Sequence, residues 1–141
     1  MTTRLACRMA VLTAGLMLAA GAATADDTKK PEAPKSIKEI MKKGHAGKKS
    51  LLSMIGNELK TEKWEEVKKA TDVLKVYGET IGGFDPPMGD KESWKKMTDK
   101  YKDDTAAMSK AADKKDAAGT EKSLKSVQNS CKGCHSAHKP N

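Results

Sequence analysis

Ser123-Leu124-Lys125-Ser126-Val127-Gln128-Asn129-Ser130-Cys131-Lys132-Gly133-Cys134-His135 is the stretch on which the fold turns. Leu124, Val127, Cys131 and Cys134 recur at steps of three and four, the period of one helix face, so the two thiols continue a buried helical stripe. The last five residues read C-x-x-C-H, the signature of c-type haem attachment. The spacing has a physical basis. Residues three apart on a helical turn lie on the same side, so both thiols can add to vinyl groups of one haem. His135, four residues after Cys131, can then offer its imidazole to the iron of the same macrocycle. The pentapeptide therefore predicts one covalently bound haem c, with Cys131 and Cys134 as thioether anchors and His135 as the proximal iron ligand.

These residue types admit three other readings. A thioredoxin-like redox pair sits at a helix N-terminus after a strand, whereas this pair closes a helical pattern with no strand before it. Zinc would need Cys131, Cys134, His135 and His138, four ligands crowded into eight residues of one helix, which surround a tetrahedral ion poorly. A plain structural disulfide remains open to two cysteines in an oxidising compartment.

Outward from this helix the chain keeps the same period, and no segment alternates as a strand does. Ile37, Ile40, Met41, Leu52, Ile55 and Leu59 share one face of a first segment, despite Gly44 and Gly47. A second follows Thr61 as its cap and carries Trp64, Val67, Thr71, Leu74 and Ile81 to an end near Gly82-Gly83. The stretch Phe84-Asp85-Pro86-Pro87-Met88-Gly89 cannot be helical, because consecutive prolines remove backbone donors. Asp90 caps a third segment bearing Trp94, Met97, Tyr101, Met108 and Ala111, and Asp116 caps the fourth. Four such helices with short links predict an all-α, antiparallel four-helix bundle with the cofactor in its interior. The core is lean, with one Phe, two Tyr and two Trp in the whole chain, and a large apolar ligand would fill the space.

The N-terminus reads as an export signal over residues 1–25. Arg4 and Arg8 make a positive region, Ala10 to Ala20 an apolar run shorter than the ~20 residues of a bilayer span, and Ala23-Thr24-Ala25 a small-residue cleavage site. Residues 26–35 (DDTKKPEAPK) read as a disordered leader and residues 36–141 as the bundle domain. Cleavage would remove Cys7 and both arginines, leaving 25 lysines against 19 acidic residues, a net charge of +6. Lysine is a hydrated point charge, poor at bidentate recognition, so this surface argues against nucleic acid. It reads as a solvated helical face, and it would also steer an acidic redox partner. The expected location is the periplasm, with no membrane span after cleavage. No nucleophile, general base or substrate motif is apparent, so no enzyme is expected.

Beyond C-x-x-C-H, the turn Pro87-Met88-Gly89, the Trp94 that follows and the basic Lys139 four residues after His135 stand in recognisable order. The chain resembles the class II c-type cytochromes, the cytochrome c′ family, across most of Ser36 to Lys139. The resemblance implies that Trp94 packs near the haem, that Lys139 lies beside the proximal histidine, and that two bundles pair. The family commonly carries Arg as its basic residue near the haem, and the mature chain has none. Trp94 by spacing alone is core, Lys139 by position alone a solvated tail residue, and His138 a surface residue. Trp64 and Tyr101 read as core.

Function divides on the distal side of the iron. A side chain there suits electron transfer, the favoured reading; an open position would bind nitric oxide or carbon monoxide, as the resemblance implies. A non-haem structural or metal-binding bundle is the third. Met41, on the buried stripe of the first segment, is close to where low-spin relatives carry an axial methionine. The same residue is equally readable as core filler. His45, one turn along the same face, is the alternative ligand.

Overall fold

The computed structural model describes residues 30–140, whose regular elements are all helices, with no strand among them. The expected signal and the first residues of the leader lie outside this range. Helices α1 (Ile37–Ile40), α2 (Leu51–Lys60), α3 (Trp64–Ile81), α4 (Lys91–Asp113) and α5 (Ala117–His138) follow in order, with a π-helical turn, Met41–His45, continuing α1. Sequence neighbours α2 to α5 pack side by side, and α2 also touches α5, closing a four-helix bundle.

The first segment is not one helix. The Ala46 N–H bonds to the Met41 carbonyl five residues back (2.9 Å), the widened ladder of a π turn, and Ala46 itself is extended. Gly47 then adopts φ +80, a left-handed conformation that ends any helix. Ser50 restarts it, its hydroxyl accepting from the Ser53 N–H. The buried face nevertheless stays in register, with Ile40 and Ile55 fully enclosed.

Asp90 and Asp116 cap α4 and α5 as expected, their carboxylates accepting from the N–H groups of Ser93 and Gly119. Thr61 does not cap α3. It ends α2, its N–H bonded to Glu58 and Leu59 carbonyls, and α3 starts at Trp64 without a side-chain cap. Glu65 and Glu66 in the first turn offset that lack by facing the positive end of the helix dipole.

The core runs through Ile40, Ile55, Val67, Leu74, Trp94, Tyr101, Met108, Leu124 and Val127. Each fully buried aliphatic side chain stabilises the bundle by about 1.5–3 kcal/mol. Thr71, Thr98, Thr105 and Thr120 are buried among them and return their hydroxyls to carbonyls three or four residues back on their own helices, so none of these hydroxyls is stranded. These short side chains let helices approach closely. At Gly78 an added Cβ would stand 3.1 Å from the Lys102 Cα and closer still to Thr105 Oγ1. At Gly56 it would meet only the Leu124 side chain, at 3.6 Å.

The two glycines therefore predict opposite effects of the same change. Gly78→Ala should destabilise the haem-loaded protein by about 1–3 kcal/mol in urea unfolding, through overpacking of α3 on α4. Gly56→Ala should stabilise it by about 0.5–1 kcal/mol, the helix-propensity gain.

Candidate haem site

Cys131, Cys134 and His135 stand on the last two turns of α5, a helix held by burial of Leu124 and Val127 below them. Both cysteines are free thiols and half-buried, and Cys131 Sγ contacts the Val127 carbonyl (3.4 Å). Burial pushes both thiols above their ordinary range, and the charge of a Cys131 thiolate would raise Cys134 further. A thioredoxin-type pair needs a stabilised thiolate, and this pair has the reverse. No three His, Cys, Asp or Glu side chains gather as a metal site among the described residues, which leaves the zinc reading without a cage.

Two contiguous cavities open beside these residues. One, of ≈270 Å³, has walls from Met41, His45, Ile81, Tyr101, Val127, Cys131, Cys134 and His135. The other, of ≈830 Å³, is bounded by Ile37, Met41, Pro87, Trp94, Cys134, His135, His138 and Lys139. Met41, Cys134 and His135 line both. Every site residue taken from the sequence is therefore brought to one place. His135 and Lys139 are exposed, Met41 and His45 half-buried, and Trp94 is 4% exposed with its indole N–H donating to the Phe84 carbonyl (2.8 Å). Lys139 caps α5, its N–H bonded to the His135 carbonyl.

His138 corrects an expectation. It is 2% exposed rather than a surface residue. Its Nδ1–H donates to the Met88 carbonyl (2.9 Å), Ser93 Oγ lies 3.2 Å from Nε2, and the ring meets Trp94 edge-on at 5.2 Å. The turn that receives it is tight. Gly89 has φ +82, and a Cβ there would stand 2.5 Å from the Ala137 carbonyl oxygen. The 84–90 connection is thus fastened to the turn of α5 that follows His135.

On the other wall, His45 Nε2 and Tyr101 Oη are 2.9 Å apart, while His45 Nδ1 is buried with no partner. Burial first, and the charge of His135 second, hold the His45 imidazole well below its ordinary range, at about 4. Burial likewise pushes the Tyr101 phenol up, so it stays protonated. Sequence reading placed Tyr101 in the core but assigned it no partner.

Residues 88–139 match the family model described as Cytochrome C'. Over those residues, just over a third of the chain, the sequence is similar to that family. The match takes in Gly89, Trp94, the C-x-x-C-H pentapeptide, His138 and Lys139, and it stops short of Met41 and His45. No curated protein and no solved structure matches the chain. The cytochrome c′ family implies covalently bound haem c. The residues here fit that group: two neutral thiols and an imidazole on one helix, beside cavities with mostly apolar walls.

Two measurements check this geometry. His138→Ala should cost about 2–3 kcal/mol in urea unfolding, from its lost hydrogen bonds and aromatic contact. Lys139→Ala, at an exposed position, should change stability by less than about 0.5 kcal/mol. The second concerns pH. Because the His45 pKa is lower folded (about 4) than unfolded (6.5), protonation favours the unfolded chain. Its contribution is complete above pH 6.5 and is lost as pH falls towards 4. Wild type should lose about 2–3 kcal/mol from this group between pH 7 and pH 4.5, and His45→Gln should lack that component.

Proposed function

We propose that this chain is an exported, mono-haem c-type cytochrome that carries electrons in the periplasm. The observation that supports it most is the convergence of Cys131, Cys134 and His135 with Met41 on one apolar cavity. In this reading Cys131 and Cys134 would hold the haem as thioethers, each S–H adding across a vinyl double bond with no oxidant consumed. Haem supplies an iron centre that gains and loses one electron.

The chain's own groups do the rest. His135 would give the iron its proximal nitrogen, carried on α5, whose Leu124 and Val127 are buried below it. Met41 offers a thioether from the facing wall, and His/Met coordination raises the potential, as suits a carrier. Trp94 lines the larger cavity and is held to the 84–90 connection by its bond to the Phe84 carbonyl. Lys38 and Lys139, exposed and lining the larger cavity, place positive charge where an acidic redox protein would approach.

A second reading rests on the same apolar walls. If Met41 is only packing, the distal position is open and the protein binds nitric oxide or carbon monoxide, as its resemblance implies.

One experiment separates the readings. Protein produced with its export signal, then denatured and extracted with acid acetone, should retain one haem per chain, and Cys131→Ala with Cys134→Ala should retain none. The wild-type absorption spectrum should be low-spin and unchanged by carbon monoxide, and Met41→Ala should turn it high-spin and carbon-monoxide-reactive. A high-spin wild type that takes up carbon monoxide would overturn the carrier reading in favour of gas binding. Complete haem loss on extraction would overturn both.

A further inference from the structure

Met41 and His45 stand one helical turn apart and line the same cavity as His135. Imidazole is a better-matched ligand for iron than a thioether, so something must withhold His45 if Met41 is to serve. Tyr101 supplies that restraint.

A neutral imidazole has one N–H donor and one lone pair, and a phenol has one O–H donor. Tyr101 is 7% exposed, and His45 Nε2 is the hydrogen-bond partner of its hydroxyl among the described residues. If Nε2–H donated to the phenol oxygen, two groups would be stranded: the buried phenol hydrogen and the Nδ1 lone pair. If the phenol donates to Nε2, only Nδ1–H lacks a partner, Nδ1 being unpartnered in either arrangement. Buried donors are rarely left unpaired, so the arrangement with fewer stranded groups is preferred. In that arrangement the Nε2 lone pair is engaged by Tyr101 and Nδ1 carries the proton. The imidazole then has no lone pair for a metal.

We infer that Tyr101 determines the sixth ligand: its hydroxyl engages His45 and keeps that imidazole off the iron, leaving the position to Met41. This rests on haem being bound at His135. Tyr101 touches neither ligand bond itself and is a positioning residue.

The test uses the full, haem-loaded protein, with spin state read by electron paramagnetic resonance and carbon monoxide binding by absorbance. Met41→Ala alone should be high-spin and bind carbon monoxide. Adding Tyr101→Phe, which deletes only the hydroxyl, should return the iron to a low-spin, bis-histidine signature. Carbon monoxide should then bind at least about tenfold more weakly, because it competes with a bound imidazole. Adding His45→Ala to that pair should restore the high-spin state, which ties the effect to His45. The inference is overturned if Met41→Ala with Tyr101→Phe stays high-spin with unaltered carbon monoxide binding. It is equally overturned if Met41→Ala is already low-spin and His45→Ala abolishes that state, since His45 would then ligate with Tyr101 in place. A high-spin wild type would overturn the assignment of the position to Met41, and one that Tyr101→Phe leaves high-spin would overturn the role of Tyr101 as well. Absence of covalent haem would overturn both.

Discussion

The His138 ring fastens the last turn of α5 to the 84–90 connection, and the placing of Cys134, His135 and Lys139 depends on it. Helix ends fray because their last carbonyls lack partners within the helix. Here the final turn is instead enclosed, with one ring nitrogen on the Met88 carbonyl, the other beside Ser93, and the ring against Trp94. Trp94 in turn holds the start of the same connection through the Phe84 carbonyl. The Pro-Met-Gly turn is shaped for this contact, since only a residue without a Cβ leaves room for the Ala137 carbonyl. An exposed His135 can keep a fixed orientation because the residues around it on the helix are held.

The core chemistry follows the same economy of volume. Threonine hydroxyls satisfied within their own helices, together with Gly78, bring α3 against α4 at short range. Large side chains are few, and the space they would occupy is found instead as apolar cavities beside Cys134. A core packed to ordinary density has few voids larger than a water molecule. Cavities of this size with mostly apolar linings are the shape of a site whose contents complete the packing.

Periodicity carried the helices because it reports burial, and burial is what the bundle is built from. The stripe through Leu124, Val127 and the cysteines, and the caps at Asp90 and Asp116, were legible for that reason. What sequence spacing could not register was backbone conformation and contact between distant segments. The break at Ala46 and Gly47 leaves the buried face in phase, so the pattern reads straight through it. Thr61 has cap chemistry, but it belongs to the end of the helix before it. His138 was judged only against the haem-facing side of its own helix. Its partners, Met88 and Ser93, lie 50 and 45 residues away in the chain. Tyr101 and His45 are 56 apart, so their pairing was equally hidden, although each residue alone was placed correctly on a buried face.

The family match ends where the chain's individuality begins. Residues 88–139 hold Cys131, Cys134, His135 and Trp94, which line the two cavities. Met41 and His45 of the π turn, outside the match, line the smaller cavity with them, and in the proposed reading these two would determine what a bound iron can take up. A π turn widens the helix locally and is common where a side chain must be re-aimed. Here it presents a thioether and an imidazole to one cavity and, through Tyr101 on α4, engages the imidazole with a neighbour. Tyr101 itself lies within the matched residues. In the proposed reading, the distal choice would be made between the two halves of the bundle, by a hydroxyl on one and a histidine on the other. Electron carriage and gas binding would then differ by which side chain of the 41–45 turn reaches the iron, with no change of fold required.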